Sequence, residues 1–385
     1  MLCFGSTLAH AETIEDPAHG PEEEAQQDKG ETNGALLVFD RGALKLSMIG
    51  ILQADMALWT GQQNLLSDGD SAEHPGFRIA RARVGWTARA FRFMILKASM
   101  ELGGGVDRQA ARVVDASIGY RHFSLLGFEL GIHKVPFSRF ALTPAGHQAL
   151  SARPLAVQAM APFRQVGFTL SGEIGGGMVQ YAAGAYNGLE RGAGFHQGYV
   201  GAVDQGGNQD GPLAFAARLS LAPRGSLGDD VADLDGGPLR VALSTSALRQ
   251  RAGDRTLVAW SVDLALKVHG FHFVGEYITD YQEPLETLAD PSEATTTDRL
   301  DRTALVGEAG YIFMGGRLGT AARVEWIDTN EAIDDEGDAL VFTGGLQHIW
   351  HRHHLKAHLE YTFREELHGA RLDNQTLLLR LQARL

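Results

Sequence analysis

The sequence holds one cysteine, Cys3, and no apolar run approaching the roughly 20 residues that a membrane-spanning helix needs. The first scarcity excludes an internal disulfide and any cysteine-ligated metal. The second leaves a closed β-barrel as the only way this chain could occupy a membrane, since helices and closed barrels alone satisfy their own backbone there. Positive charge is also short: Lys and Arg total 34 against 47 Asp and Glu, a formal net charge of −13, which argues against nucleic acid as a partner. No nucleophile elbow and no zinc-protease signature occurs. The glycine triplets Gly103-Gly104-Gly105 and Gly175-Gly176-Gly177 precede no helix pattern that could hold a phosphate, so they read as connectors. No enzyme and no cofactor is expected.

What the chain does have begins with a short apolar stretch, "MLCFGSTLAHA", ending in the small-x-small pattern Ala9-His10-Ala11. It lacks a basic start, so residues 1–11 read as a truncated signal peptide. Residues 12–40 open with "ETIEDPAHGPEEEAQQDKGETNG", acidic and without aromatics, which reads as a flexible periplasmic segment. From residue 41 to 385 the pattern has period two. "FRIARARVGWTARAFRFMILKASM" alternates Arg81, Arg83 and Arg89 with Ala82, Val84, Trp86 and Ala88. "LVAWSVDLALKVHG" sorts Val258, Trp260, Val262, Leu264 and Leu266 from Ser261, Asp263 and Lys267, and "LLLRLQARL" closes the chain in the same way.

About sixteen such segments can be counted, each near the ~9–11 residues of a tilted membrane strand. Long polar connectors at 60–76, 135–164, 188–211 and 280–301 mostly alternate with tight ones such as "MGGR". Barrels with long outer loops and short periplasmic turns have this rhythm. The connector 222–238 breaks it, being too long for a tight turn. A packed soluble sandwich would not tolerate charge on nearly every strand's inner face. The pattern therefore predicts an all-β, sixteen-stranded antiparallel transmembrane barrel whose inner face meets water.

Several segments resemble the phosphate-selective porin O and P family. "GALLVFDRGALKLSMIGILQADMALW" is similar to its opening strand, and "FRIARARVGWTARAFRFMILKASMELGGG" to its second and third. "LGIHKVPFSRFALTP" with "MAPFRQVGFTLSGE" resembles the fifth strand, third loop and sixth strand. One departure is Ala80 before Arg81, where the family commonly has paired arginines. The resemblance implies a homotrimeric bacterial outer-membrane porin whose third loop folds into the lumen, where basic side chains pass small anions, phosphate or other oxyanions foremost. It also implies outer-membrane lipid and lipopolysaccharide as surroundings. An occluded structural or receptor barrel, binding an external partner through its loops, is the alternative.

Selectivity in such a pore depends on charge at its narrowest point. Between Lys134 and Arg164 the chain carries Arg139 and Arg153, His133 and His147 nearby, and no acid. Folded inward, this loop would set Lys134, Arg139, Arg153 and Arg164 against the inward-facing Arg81, Arg83 and Lys97. Guanidinium groups suit oxyanions because they donate in a planar fork. The run "QHIWHRHHLKAH" brings His351, His353 and His354 close in sequence, a spacing that could hold a transition metal. It straddles a tight turn, however, where imidazoles serve as interface residues, so no metal is expected.

Overall fold

The computed structural model describes residues 36–60, 75–103, 111–191, 198–200, 208, 212–252, 255–283, 299–335, 337–369 and 374–385. The proposed signal peptide and most of the acidic segment lie outside the described residues. The strands are β1 (Leu36–Asp40), β2 (Leu44–Thr60), β3 (Gly76–Ala90), β4 (Met94–Gly103), β5 (Arg112–Phe123), β6 (Leu126–Lys134), β7 (Arg164–Ile174) and β8 (Val179–Tyr186). The short β9 (Glu190–Arg191) and β10 (Tyr199–Val200) pair with each other. There follow β11 (Ala214–Leu221), β12 (Arg240–Ala252), β13 (Arg255–Val268), β14 (Phe271–Glu283), β15 (Leu300–Phe313), β16 (Leu318–Asp328), β17 (Ala339–His351), β18 (Leu355–Glu366) and β19 (Asn374–Arg384).

Apart from β1, β9 and β10, each strand pairs antiparallel with its two neighbours. The pairings β8–β11 and β19–β2 complete a sixteen-stranded ring with no free edge. β1 folds back on β2 through a turn at Gly42 (φ +63°), whose N–H donates to Asp40. Residues 36–40 thus correct the sequence reading, which ended the flexible segment at 40; the start of β2 offers them a strand edge that β19 leaves uncovered beyond Ile51.

One face of every strand is apolar and bare. On β13, Leu264 is 42 % exposed on the outside while its neighbour Asp263 is 1 % exposed on the inside. Trp260, Leu243, Leu305, Leu346 and Leu381 are exposed in the same outer sense. A continuous apolar surface of this size requires lipid around it. Arginine at Leu264, near the middle of β13, should therefore cost on the order of 2–4 kcal/mol of barrel stability in equilibrium unfolding from lipid. A cost indistinguishable from zero would mean the strand faces the other way.

The ends of the barrel differ. At one end the strands turn within a few residues, as at His269 (φ +48°) and Gly270 (φ +91°), with the connector between β11 and β12 as the exception. Two successive positive φ values give the turn whose twist matches paired strands. At the other end are the long loops. The third of these, 135–163, contains α1 (Arg139–Leu142), a 3-10 turn (Ala145–His147) and α2 (Leu155–Met160). It fills the lumen against one wall. Val135, Phe137, Phe140, Leu150, Val157 and Met160 are almost fully buried, in one cluster with inward residues such as Val274, Ile278, Val306 and Ile327.

That wall is covered by the loop, whereas the sequence predicts an inner face that meets water. Its acids take loop backbone as partner instead. Glu325 accepts the Ala156 N–H at 3.0 Å, capping the first turn of α2, and Glu276 accepts the Phe140 N–H at 3.3 Å. Glu360 accepts the Ser151 N–H and, at 2.6 Å, its hydroxyl. In return, Lys356 donates to the Gln148 carbonyl at 2.9 Å and Gln382 to the Gly146 carbonyl at 3.1 Å. A loop without acids thus docks on a wall rich in them, and its N–H groups give the buried carboxylates hydrogen bonds, though Oε1 of Glu276 has no partner among the described residues.

Candidate pore constriction

With the loop on the β13–β19 side, the opposite wall, β3 to β7, carries the less buried inward side chains. Arg81 and Arg83 share the inner face of β3 because they are two residues apart. Lys134 ends β6, Arg164 begins β7, and the two are directly paired in register. Arg153 reaches them from the loop. Its Nε donates to the Phe140 carbonyl at 3.0 Å and its Nη2 to the Thr143 carbonyl at 2.6 Å, with the guanidinium 5.3 Å from the Phe163 ring centroid.

The positive charges of Arg81, Arg164 and Arg83 all bear on Arg153, and those of Arg164 and Arg153 bear on Lys134. Burial first, and then these neighbours, push the Arg153 pKa downward. Two carboxylates offset the group in part. Arg83 bonds Glu101 at 3.0 Å, and Arg164 bonds Asp115 at 2.7 Å. Lys134 donates to the Leu142 carbonyl. Arg153 has only carbonyls as acceptors, and the buried Nε of Arg81 has no hydrogen-bond partner among the described residues. The site therefore holds more positive charge than it neutralises, with donors left over. An anion in reach of Arg81 and Arg153 would relieve both deficits.

Five of the sequence candidates thus come together: Arg81, Arg83, Lys134, Arg153 and Arg164. Two do not. Arg139 crosses to the far wall, where it binds Asp263 at 2.8 Å, and that carboxylate also takes Arg218 at 2.6 Å. Alternation cannot reveal that a loop arginine is used for docking. Lys97 stands 3.8 Å from Glu129 near the short-turn end of β4. The histidine run also separates. His351 and His354 rings meet edge to face at 4.9 Å, while His353 turns inward and is buried. Its neighbours are His147 and Asp230, distant in sequence, which no spacing pattern would join to it.

Comparison with known proteins agrees with this geometry. Residues 53–229 match the family model of phosphate-selective porin O and P. The matched stretch contains all five clustered cations. A comparison with curated sequences yields no significant match. Among solved structures, the anion-selective porin from Comamonas acidovorans aligns with TM-score 0.58 at 12 % identity, covering 89 % of this chain and 100 % of that one. Pseudomonas putida OprB aligns with TM-score 0.59 at 10 % identity, over 95 % and 96 % of the two chains. The outer-membrane channel DcaP of Acinetobacter baumannii gives 0.57 at 13 %, over 91 % and 100 %. At these identities the likeness is one of fold. The partial family match and the shared barrel fold make the chain similar to porins and indicate the bacterial outer membrane. The short turns then face the periplasm and the long loops the outside.

Proposed function

We propose that this porin is a passive diffusion channel for small anions, with phosphate and other oxyanions preferred, and that it has no catalytic role. The single observation behind the reading is the pair Arg81 and Arg153, two cations close enough to repel each other, with no carboxylate bonded to either among the described residues. A homotrimer in lipopolysaccharide-containing membrane is the assembly we infer, on the precedent of the trimer form of Vibrio cholerae OmpT, whose fold is similar. Phosphate added to a chloride-conducting channel should occupy this site and reduce the chloride current, and Arg81→Ala should remove the block. Equal block in the variant would place the anion site elsewhere.

The second reading, an occluded barrel, draws support from the 222–239 connector. Leu227, Val231 and Ala232 in it are buried, and Val231 donates to the His147 carbonyl of the third loop. Absence of any single-channel conductance from correctly folded protein would favour it.

A further inference from the structure

The connector from β11 to β12 explains its own length. A tight turn would keep it at the rim below its two strands, whereas this segment extends inward to meet the third loop and the turn between β17 and β18, well around the ring. At the meeting point three side chains from three separate elements converge. His147 comes from the third loop, Asp230 from the connector and His353 from the β17–β18 turn.

The ligand-type atoms of these residues all lie within 4.8 Å of one another. Asp230 Oδ1 is in hydrogen-bond contact with His147 Nδ1 and stands 3.0 Å from His353 Nε2. The two imidazoles stack with centroids 4.1 Å apart and planes 9° from parallel. His353 is only 8 % exposed; its Nε2 has the Asp230 carboxylate at 3.0 Å, and its Nδ1 has no hydrogen-bond partner among the described residues. Two imidazoles and a carboxylate are thereby held at one largely buried point, with their donor atoms close enough to share a single ion.

We propose that His147, Asp230 and His353 form a binding site for a divalent transition-metal ion such as Zn2+, fastening the third loop, the connector and the β17–β18 turn together at the periplasmic mouth. Two nitrogens and a carboxylate oxygen, with one position left to water or an anion, are a common tetrahedral donor set. Bonds of about 2.0 Å place tetrahedral ligands about 3.3 Å apart, so the 3.0 Å approach of Asp230 and His353 needs to open only slightly.

The surroundings narrow the choice of ion. Lys356 and Arg384 bring positive charge to the site, with Asp229 and Asp230 opposing them. That balance is poor for Ca2+ or Mg2+, which depend on oxygen ligands and negative charge. It is tolerable for a borderline ion held by imidazole nitrogen. Arg384 donates to His147 Nε2, which fixes the His147 proton on Nδ1. Metal at Nδ1 displaces that proton, so the tautomer exchanges and the Arg384 guanidinium swings away.

The test is calorimetric titration of ZnCl2 into the full chain, folded in detergent and freed of metal by a chelator. The site predicts one Zn2+ per chain, binding weakened at least tenfold by His353→Ala and by His147→Ala, and unchanged binding in His351→Ala. It also predicts no comparable uptake of Ca2+. No stoichiometric uptake by the wild type would overturn the proposal, as would equal uptake by His353→Ala or loss on His351→Ala. Should the alanine variants fail to fold, X-ray absorption on the zinc-loaded wild type decides: two imidazoles with a carboxylate support the site, and any other protein ligand set rejects it.

Discussion

With Arg81 and Arg153 both replaced by alanine, the channel should lose most of the anion preference we propose for it while its strands still close. A unit charge about 8 Å from a passing ion is worth about 2 kcal/mol at an effective dielectric near 20. Removing two such charges should lower the anion-to-cation permeability ratio about tenfold or more in dilute salt. The remaining cations cannot replace them, because Arg83 and Arg164 are bound to Glu101 and Asp115. The change should shrink at high salt as the Debye length falls from about 10 Å at 0.1 M to about 3 Å at 1 M. Reversal potentials measured at both salt levels check this. An unchanged ratio in dilute salt would remove these residues from the conduction path.

Arg323→Met should cause the largest loss of stability among single changes on the lumen wall. Arg323 joins Glu308 at 3.2 Å and Glu325 at 3.0 Å, and donates to the Ala152 carbonyl of the third loop at 2.9 Å. Both acids are 1 % exposed. Without the guanidinium they stand buried and uncompensated, which costs about 3–5 kcal/mol. Glu325 also caps α2, so the loop should loosen with the wall and the current become noisier. Urea unfolding in lipid vesicles measures the first effect and single-channel recording the second. A loss below about 1 kcal/mol would mean that apolar packing alone holds the loop.

The barrel was legible from alternation because a strand with lipid on one side and a polar interior on the other must repeat every two residues. Trp260 and Leu264 against Ser261 and Asp263 show the rule working. The tight turns were legible from the shortness of their connectors rather than from turn residues, since Phe91, Arg92 and Arg352 take positive φ in them without a glycine to signal it. Alternation names a face but not its neighbour, and there its information ends. Asp263 reads as one rung in a ladder of lumen charges, yet it is the shared partner of Arg139 and Arg218. Arg139 and Arg153 look equivalent in the sequence of one loop. One docks on the wall carboxylate Asp263 and the other bonds only carbonyls of its own loop, a difference decided by where the loop lies down.

The absence of acids in the third loop was itself a signal with two consequences. It concentrates positive charge beside β3 and β7, and it leaves the loop's backbone N–H groups to be satisfied by Glu276, Glu325 and Glu360 from the wall. The first consequence follows from counting charges. The second requires knowing that the loop turns inward, which the strand pattern does not contain. The long 222–239 connector is similar: its length is plain in the sequence, and its reason lies in contacts with His147 and His353 far along the chain.

The chain as a whole carries a formal charge of −13, so a pore governed by its total field would pass cations. We attribute selectivity instead to the local field at Arg81 and Arg153. The reversal potential of the wild-type porin in a planar bilayer, under a tenfold gradient of potassium chloride, separates the two directly. A potential of the sign set by chloride is the predicted result. A potential of the sign set by potassium would contradict it.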